Sequence, residues 1–355
     1  MRLRLPNAPR GSTRELFCLR DAYVVVSAAV RFGPTTSHRT NGWSLNKMMT
    51  NRDTVLLPGD VVRVRSWAEI VCTLDENGRL DGLPFMPEMM QLCGKRFTVS
   101  KRLERTCEET EGGMRRICNT VFLDTVRCEG TSHGGCQKAC FIFWKEAWLQ
   151  KDEGSSEENG NEPNSIERFP YECSTAEGQY ICQSTELIRA TLPLSPLDIR
   201  CFVRDVRAKT YTPIQLMRIC LYAAFLRIRH RMTGRSYRVL EGEQRKTPVS
   251  SLALQPGEVV RVKSKKEIEA TLDVQGKNHG LAFTVEMLPF CGRTFRVLKR
   301  LERMIHEPTR ELIHLDDTVI LENATCDGCH ILRGGCPRDN YHFWREIWLE
   351  RATAE

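Results

Sequence analysis

The 355-residue chain is 41% hydrophobic and 27% charged, the balance of a globular protein with a real core and room for two domains or three. Its net charge of +7, from 52 basic and 45 acidic residues, is too small an excess to specify a partner, so a nucleic-acid surface would have to appear as a local cluster. Sixteen cysteines are too many for average usage, in a chain too large to be a disulfide-stapled mini-domain.

Residues 1–56 read as an N-terminal extension. Arg2, Arg4, Arg10 and Arg14 lead into no apolar stretch of signal-peptide length, because Asp21 and Arg31 bracket the candidate Ala22 to Val30. The expected setting is therefore cytoplasmic and reducing, where clustered cysteines are metal ligands rather than disulfides. The first β repeat is placed at 57–150. Pro58-Gly59 makes a turn and Val61 to Arg65 reads as a half-buried strand. Ser66 with Glu69 makes a capping box, Asn77-Gly78 a hairpin-type turn, and Phe97 to Leu103 alternates as a strand should. Thr120 to Leu123 is a short β-branched and aromatic run. Trp144 and Trp148, four apart as on one helix face, are expected to staple the core.

The acidic, Gly/Ser/Asn-rich stretch Asp152 to Asn164 places a partly disordered linker at 151–183. A helical connector follows at 184–249. Thr212 and Pro213 start its main helix and Gly234 stops it. Leu216, Ile219, Leu221, Tyr222, Phe225, Leu226 and Ile228 give that helix a wide apolar face, expected to pack on the second repeat rather than on a membrane. The apolar run Ile219 to Leu226 is far too short for a membrane span.

The second repeat, at 250–352, is visible by self-comparison. "PGDVVRVRSWAEIVCTLDENGRLDGLPFMPEMMQLCGKRFTVSKRLER" from Pro58 aligns without a gap on "PGEVVRVKSKKEIEATLDVQGKNHGLAFTVEMLPFCGRTFRVLKRLER" from Pro256, with about half the positions identical. The register continues to Cys128 and Cys326, shifts by two residues, and resumes at Cys136 and Cys336. The copies end on "FWKEAWL" and "FWREIWL". Short strands and tight turns predict an α+β, mainly β fold: two tandem, small SH3-like β-barrels joined by the acidic linker and the helical segment.

The chemistry concentrates in the first copy. Cys107, Cys128, Cys136 and Cys140 are the predicted metal ligands, because thiolates brought together from a turn and a neighbouring strand make a closed tetrahedral site. His133 lies in the same loop, and Cys118 stands outside the set. Zinc ranks ahead of an iron–sulfur cluster, since such closed sites are typical of structural zinc. The plainer alternative is four buried cysteines acting as small apolar groups. In the second copy Ile305 and Asn340 replace Cys107 and Cys140, while Cys329, His330, His306 and His342 are extra donors. That copy is expected to be metal-free or to use a rearranged set. Cys93 and Cys291 match and read as core residues at a turn.

No phosphate-binding or nucleophile motif is present. Glu88 and Glu286 recur in short apolar settings, where a carboxylate is more often a cap or ion-pair partner than an acid–base catalyst. Lys101-Arg102-Leu103-Glu104-Arg105 repeats as Lys299-Arg300-Leu301-Glu302-Arg303 and, with Trp144, Trp148, Trp344 and Trp348 as stacking platforms, would suit nucleic acid. The leading expectation is a metal-stabilised binding or scaffold protein for an unknown protein or small molecule. A metal- or thiol-dependent enzyme is second, and a nucleic-acid binder third.

The stretches "LDGLPFMPEM", "HGGCQKACFIFWKEAWL", "LQPGEVVRVKSKKEIEATLD" and "FWREIWLER" resemble a family of uncharacterised bacterial proteins with this two-copy plan, over roughly residues 57–350. The resemblance implies the architecture and carries no activity; residues 1–50 do not fit it.

Overall fold

Turn and cap chemistry sets the short elements, and the repeat sets their order. The computed structural model describes residues 55–109, 113–152, 169–195, 198–328 and 335–352. The N-terminal extension up to residue 54, most of the acidic linker, Cys329 and His330 lie outside these residues. The first copy runs β1 (Val61–Val64), α1 (Trp67–Val71), β2 (Arg79–Leu80), β3 (Leu83–Pro84), α2 (Pro87–Met90), β4 (Arg96–Cys107), β5 (Met114–Arg127), β6 (Phe141–Lys145), a 3-10 turn (Glu146–Trp148) and β7 (Leu149–Lys151). The connector holds α3 (Leu187–Ala190), β8 (Leu192–Pro193), α4 (Arg200–Arg207) and α5 (Pro213–Thr233). The second copy follows as β9 (Val259–Val262), α6 (Lys265–Glu269), β10 (Lys277–Asn278), β11 (Leu281–Ala282), a 3-10 segment (Val285–Phe290), β12 (Thr294–Arg300), β13 (Arg303–His306), β14 (Glu311–His314), β15 (Thr318–Thr325), β16 (Tyr341–Arg345), a 3-10 turn (Glu346–Trp348) and β17 (Leu349–Arg351).

The protein is mixed and mostly strand, 33% against 22% helix, and its main sheet curls into a half-barrel. The two main sheets have matching orders, β6-β5-β4-β1-β7 and β16-β15-β12-β9-β17, with β8 added beside β5. Register matches as well: Val62 faces Phe97 as Val260 faces Phe295, and Val121 faces Trp144 as Val319 faces Trp344. The expected capping box forms at Ser66 and Glu69, and again at Ser264 and Glu267. The hairpin turn falls elsewhere than expected. Asp75 caps the bend at Asn77-Gly78, and the two-residue turn between β2 and β3 is Asp81-Gly82, both at positive φ (50° and 76°).

All four repeated tryptophans are fully buried. They are not on one helix face, however: Trp144 lies on β6 and Trp148 in the 3-10 turn after it. The bend between strand and turn brings both indoles edge-on to Phe85, 6.3 and 5.3 Å between centroids, and Phe283 repeats this with Trp344 and Trp348.

Part of the expected linker packs on the first copy. Gln183 accepts from the Phe143 N–H at 2.8 Å and donates to the Phe143 and Pro84 carbonyls. Helix α5 starts at the Thr212 cap and ends on Gly234 at φ 69°, as its sequence dictates. Leu226 packs on Val285 and Leu288 of the second copy, but Leu221, Phe225 and Ile228 stay exposed. The apolar residues surround the helix, so one face meets the core and the other does not. No helix among the described residues is long and apolar enough to cross a membrane.

Candidate metal centre

Loop 128–140 leaves β5 and returns as β6, with its neck closed by the Cys128 N–H donating to the Cys140 carbonyl at 2.8 Å. Gly130, at φ 74°, lets the loop fold on itself, since a Cβ there would overlap the Cys136 carbonyl. The fold-back places His133 Nε2 3.2 Å from Cys128 Sγ. Glu88 reaches the same spot from the first turn of α2. Its Oε1 accepts from the Ser132 N–H at 2.9 Å and lies 3.3 Å from His133 Nδ1. Ligand atoms of Glu88, Cys128 and His133 all lie within 4.8 Å of one another. Glu88 Oε2 is buried and has no hydrogen-bond partner among the described residues. A cavity of about 30 Å³ adjoins the group and is also lined by Cys136, Cys140 and Cys182. That is room for an ion or a water molecule.

Burial pushes the Cys128 thiol well up, and the Glu88 charge adds to the effect. Burial lowers the His133 pKa, against the pull of Glu88. Without an ion the pair therefore sits as neutral thiol and neutral imidazole. A metal would displace the thiol proton and take an imidazole nitrogen already free of charge.

The structure divides the four cysteines expected to converge. Cys128 belongs to the group above, with Cys136 and Cys140 on the wall of its cavity. Cys107 does not join them. It ends β4 and lies 2.6 Å, sulfur to sulfur, from Cys336 of the second copy. The reciprocal contact exists too, because the Ile305 N–H donates to Cys136 Sγ at 3.4 Å. Ile305 is the counterpart of Cys107, and Cys336 that of Cys136. Each copy's hairpin end thus reaches the other copy's loop, and closeness in sequence misled the ligand assignment. Glu88 and His133, absent from the expected set, carried two signals: the Glu88/Glu286 match and the five-residue step from Cys128 to His133.

The crossed loops form a clamp. The Gln137 N–H donates to the Arg303 carbonyl at 3.0 Å, and its side chain accepts from the Glu302 N–H at 2.7 Å. Lys138 bonds Glu307 at 2.7 Å and Glu109 at 3.1 Å, and Arg338 bonds Glu307 at 2.6 Å. Burial would raise the Glu307 pKa, but Arg338 and Lys138 overcome it and hold the carboxyl below its ordinary 4.5. Between the copies, the Arg127 guanidinium lies 3.8 Å from the Phe141 ring centre and 4.2 Å from that of Tyr341.

The basic stripes are largely ion-paired within the fold, and Arg303 stays exposed. Arg102 pairs with Glu104 and Glu146, Arg105 with buried Asp205 at 2.7 Å, Lys101 with Asp339, and Arg300 with Glu346 at 3.2 Å. The repeated tryptophans, being fully buried, offer no stacking platform at the surface. No protein-family model, curated protein or solved structure matches the chain.

Proposed function

We propose that the chain is a zinc-stabilised binding or scaffold protein in which the ion fixes loop 128–140 as the clamp between two SH3-like barrels. The carrying observation is the buried Glu88–Cys128–His133 group, with an unpartnered Glu88 oxygen and a cavity the size of an ion against Cys128 and His133. Cys128 Sγ and His133 Nε2 hold the ion, Glu88 Oε2 is the third donor, and a thiol of Cys136 or Cys140 closes the shell. A mixed sulfur, nitrogen and oxygen set favours zinc over an iron–sulfur cluster. The SH3-like reading is supported by the five-strand order and by a 3-10 turn before the last strand in both copies. A separate cleft of about 520 Å³, with Arg229, Arg235, Lys265 and Lys266 in its walls, is of small-molecule size and gives the binding reading a place.

The enzyme reading has one observation of its own: Cys128, His133 and Glu88 stand in the order of a nucleophile, base and orienting carboxylate. A nucleophile needs a lowered thiol pKa and room for substrate, and this site has a raised pKa and about 30 Å³. The test is alkylation of the purified chain followed by peptide mapping. Cys128 should be protected until a chelator strips the ion, and His133→Ala should abolish both that protection and the zinc bound at this site. Fast alkylation of Cys128 in untreated protein would favour the enzyme instead.

A further inference from the structure

We propose that the second copy's loop holds a metal ion of its own, with Cys107 of the first copy supplying the thiolate that Asn340 lacks. The proposal shares only the class of ion with the reading above; its ligands are different residues. Cys326, the counterpart of Cys128, donates to Glu286 Oε2 at 2.9 Å, and Glu286 is the counterpart of Glu88. Cys336 is buried and in contact with Cys107. Gly328 makes the same close approach to Cys336 that Gly130 makes to Cys136, so the loop cradle is preserved.

The substitutions between copies then form an exchange. Where the loop keeps its last cysteine, Cys140, the hairpin reaching in from the other copy brings Ile305. Where the loop has Asn340, the incoming hairpin brings Cys107. At the matched positions the second loop is then left with the thiols of Cys326, Cys336 and Cys107, which with the Glu286 carboxylate make the four donors of a tetrahedral shell.

The donors stand as two pairs, Cys107 with Cys336 and Cys326 with Glu286. The Cys336 N–H donates to the Asp327 carbonyl at 3.0 Å, one residue from Cys326, so both pairs stand at the neck of the same loop. An ion has to draw them together to Zn–S distances of about 2.3 Å. Arg338, bonded to the Cys107 carbonyl at 3.3 Å, fixes the incoming strand and offsets the negative charge.

The test is zinc content per chain of the full-length protein purified under reducing conditions. Wild type should carry two ions, Cys107→Ser one and Cys128→Ser one. Cys107→Ile guards against misfolding, since isoleucine already occupies the matching site at 305, and it should also carry one. A single ion that survives both Cys107 variants but not Cys128→Ser overturns this proposal and leaves the first site standing. A single ion lost with Cys107 and kept in Cys128→Ser supports it while removing the first site. No zinc at all, or a Cys107–Cys336 disulfide in peptides from the reduced preparation, overturns it.

Discussion

Loop 128–140 and the described ends of its counterpart, 326–328 and 335–340, occupy matching positions in the two copies, but they reach their donors differently. The first draws Glu88, Cys128 and His133 from its own copy, and the second meets a thiol from across the interface. Both loops also carry the clamp: Gln137 and Lys138 from one, Arg338 from the other, converging on β13 and on Glu307. An ion that stiffens such a loop therefore acts on the contact between copies as well as on its own barrel.

Removing an ion ligand should have the largest effect. Cys128→Ser should lower unfolding free energy by about 4 kcal/mol when free zinc is a thousandfold above Kd, and by much less in chelator. Denaturant titrations with and without zinc measure that difference. Next, Glu307→Gln leaves Lys138 and Arg338 buried without their shared carboxylate and should cost about 3–5 kcal/mol. Its counterpart Glu109, with a 44% exposed side chain, should cost less than about 1 kcal/mol on the same change. Equal losses at the two positions would show that the clamp is symmetric in energy as well as in sequence.

The Glu307 pair also sets a pH dependence. Because its folded pKa lies below the unfolded value, its stabilisation is complete above that value, near 4.5, and is lost as the pH falls through the folded one. Wild type should lose stability below pH 4.5 more steeply than Glu307→Gln, as followed by unfolding at a series of acid pH values. A smaller effect than at Glu307 is expected at Arg127→Ala, which removes the cation between Phe141 and Tyr341 and should cost about 1–2 kcal/mol. Thr325, its counterpart, carries no cation, so Thr325→Ala gives the baseline.

Much of the fold was legible because local chemistry and the repeat agree. Ser66 and Glu69, Thr212 and Gly234, and the strand at Phe97 to Leu103 all behave as their patterns require. The tryptophan pair was legible as core but not as geometry, since a step of four also arises where a strand turns into a 3-10 bend. The site was half legible. Cys128 and the loop glycines were visible, but which residues face a loop depends on which hairpin arrives there. That is a contact between copies more than 160 residues apart, as in the 169-residue separation of Cys136 and Ile305. No spacing rule reports it. Comparing substitutions between copies column by column, Cys107 against Ile305 and Cys140 against Asn340, held the information, but only once the crossing was known.

The most direct test of the central claim is X-ray absorption at the zinc edge on the Cys107→Ser variant, in which the first site alone should be loaded. The account predicts a mixed shell, with sulfur at about 2.3 Å and nitrogen or oxygen at about 2.0–2.2 Å, and loss of the bound zinc in a further His133→Ala change. An all-sulfur shell, or no bound zinc in the Cys107→Ser variant, would contradict it.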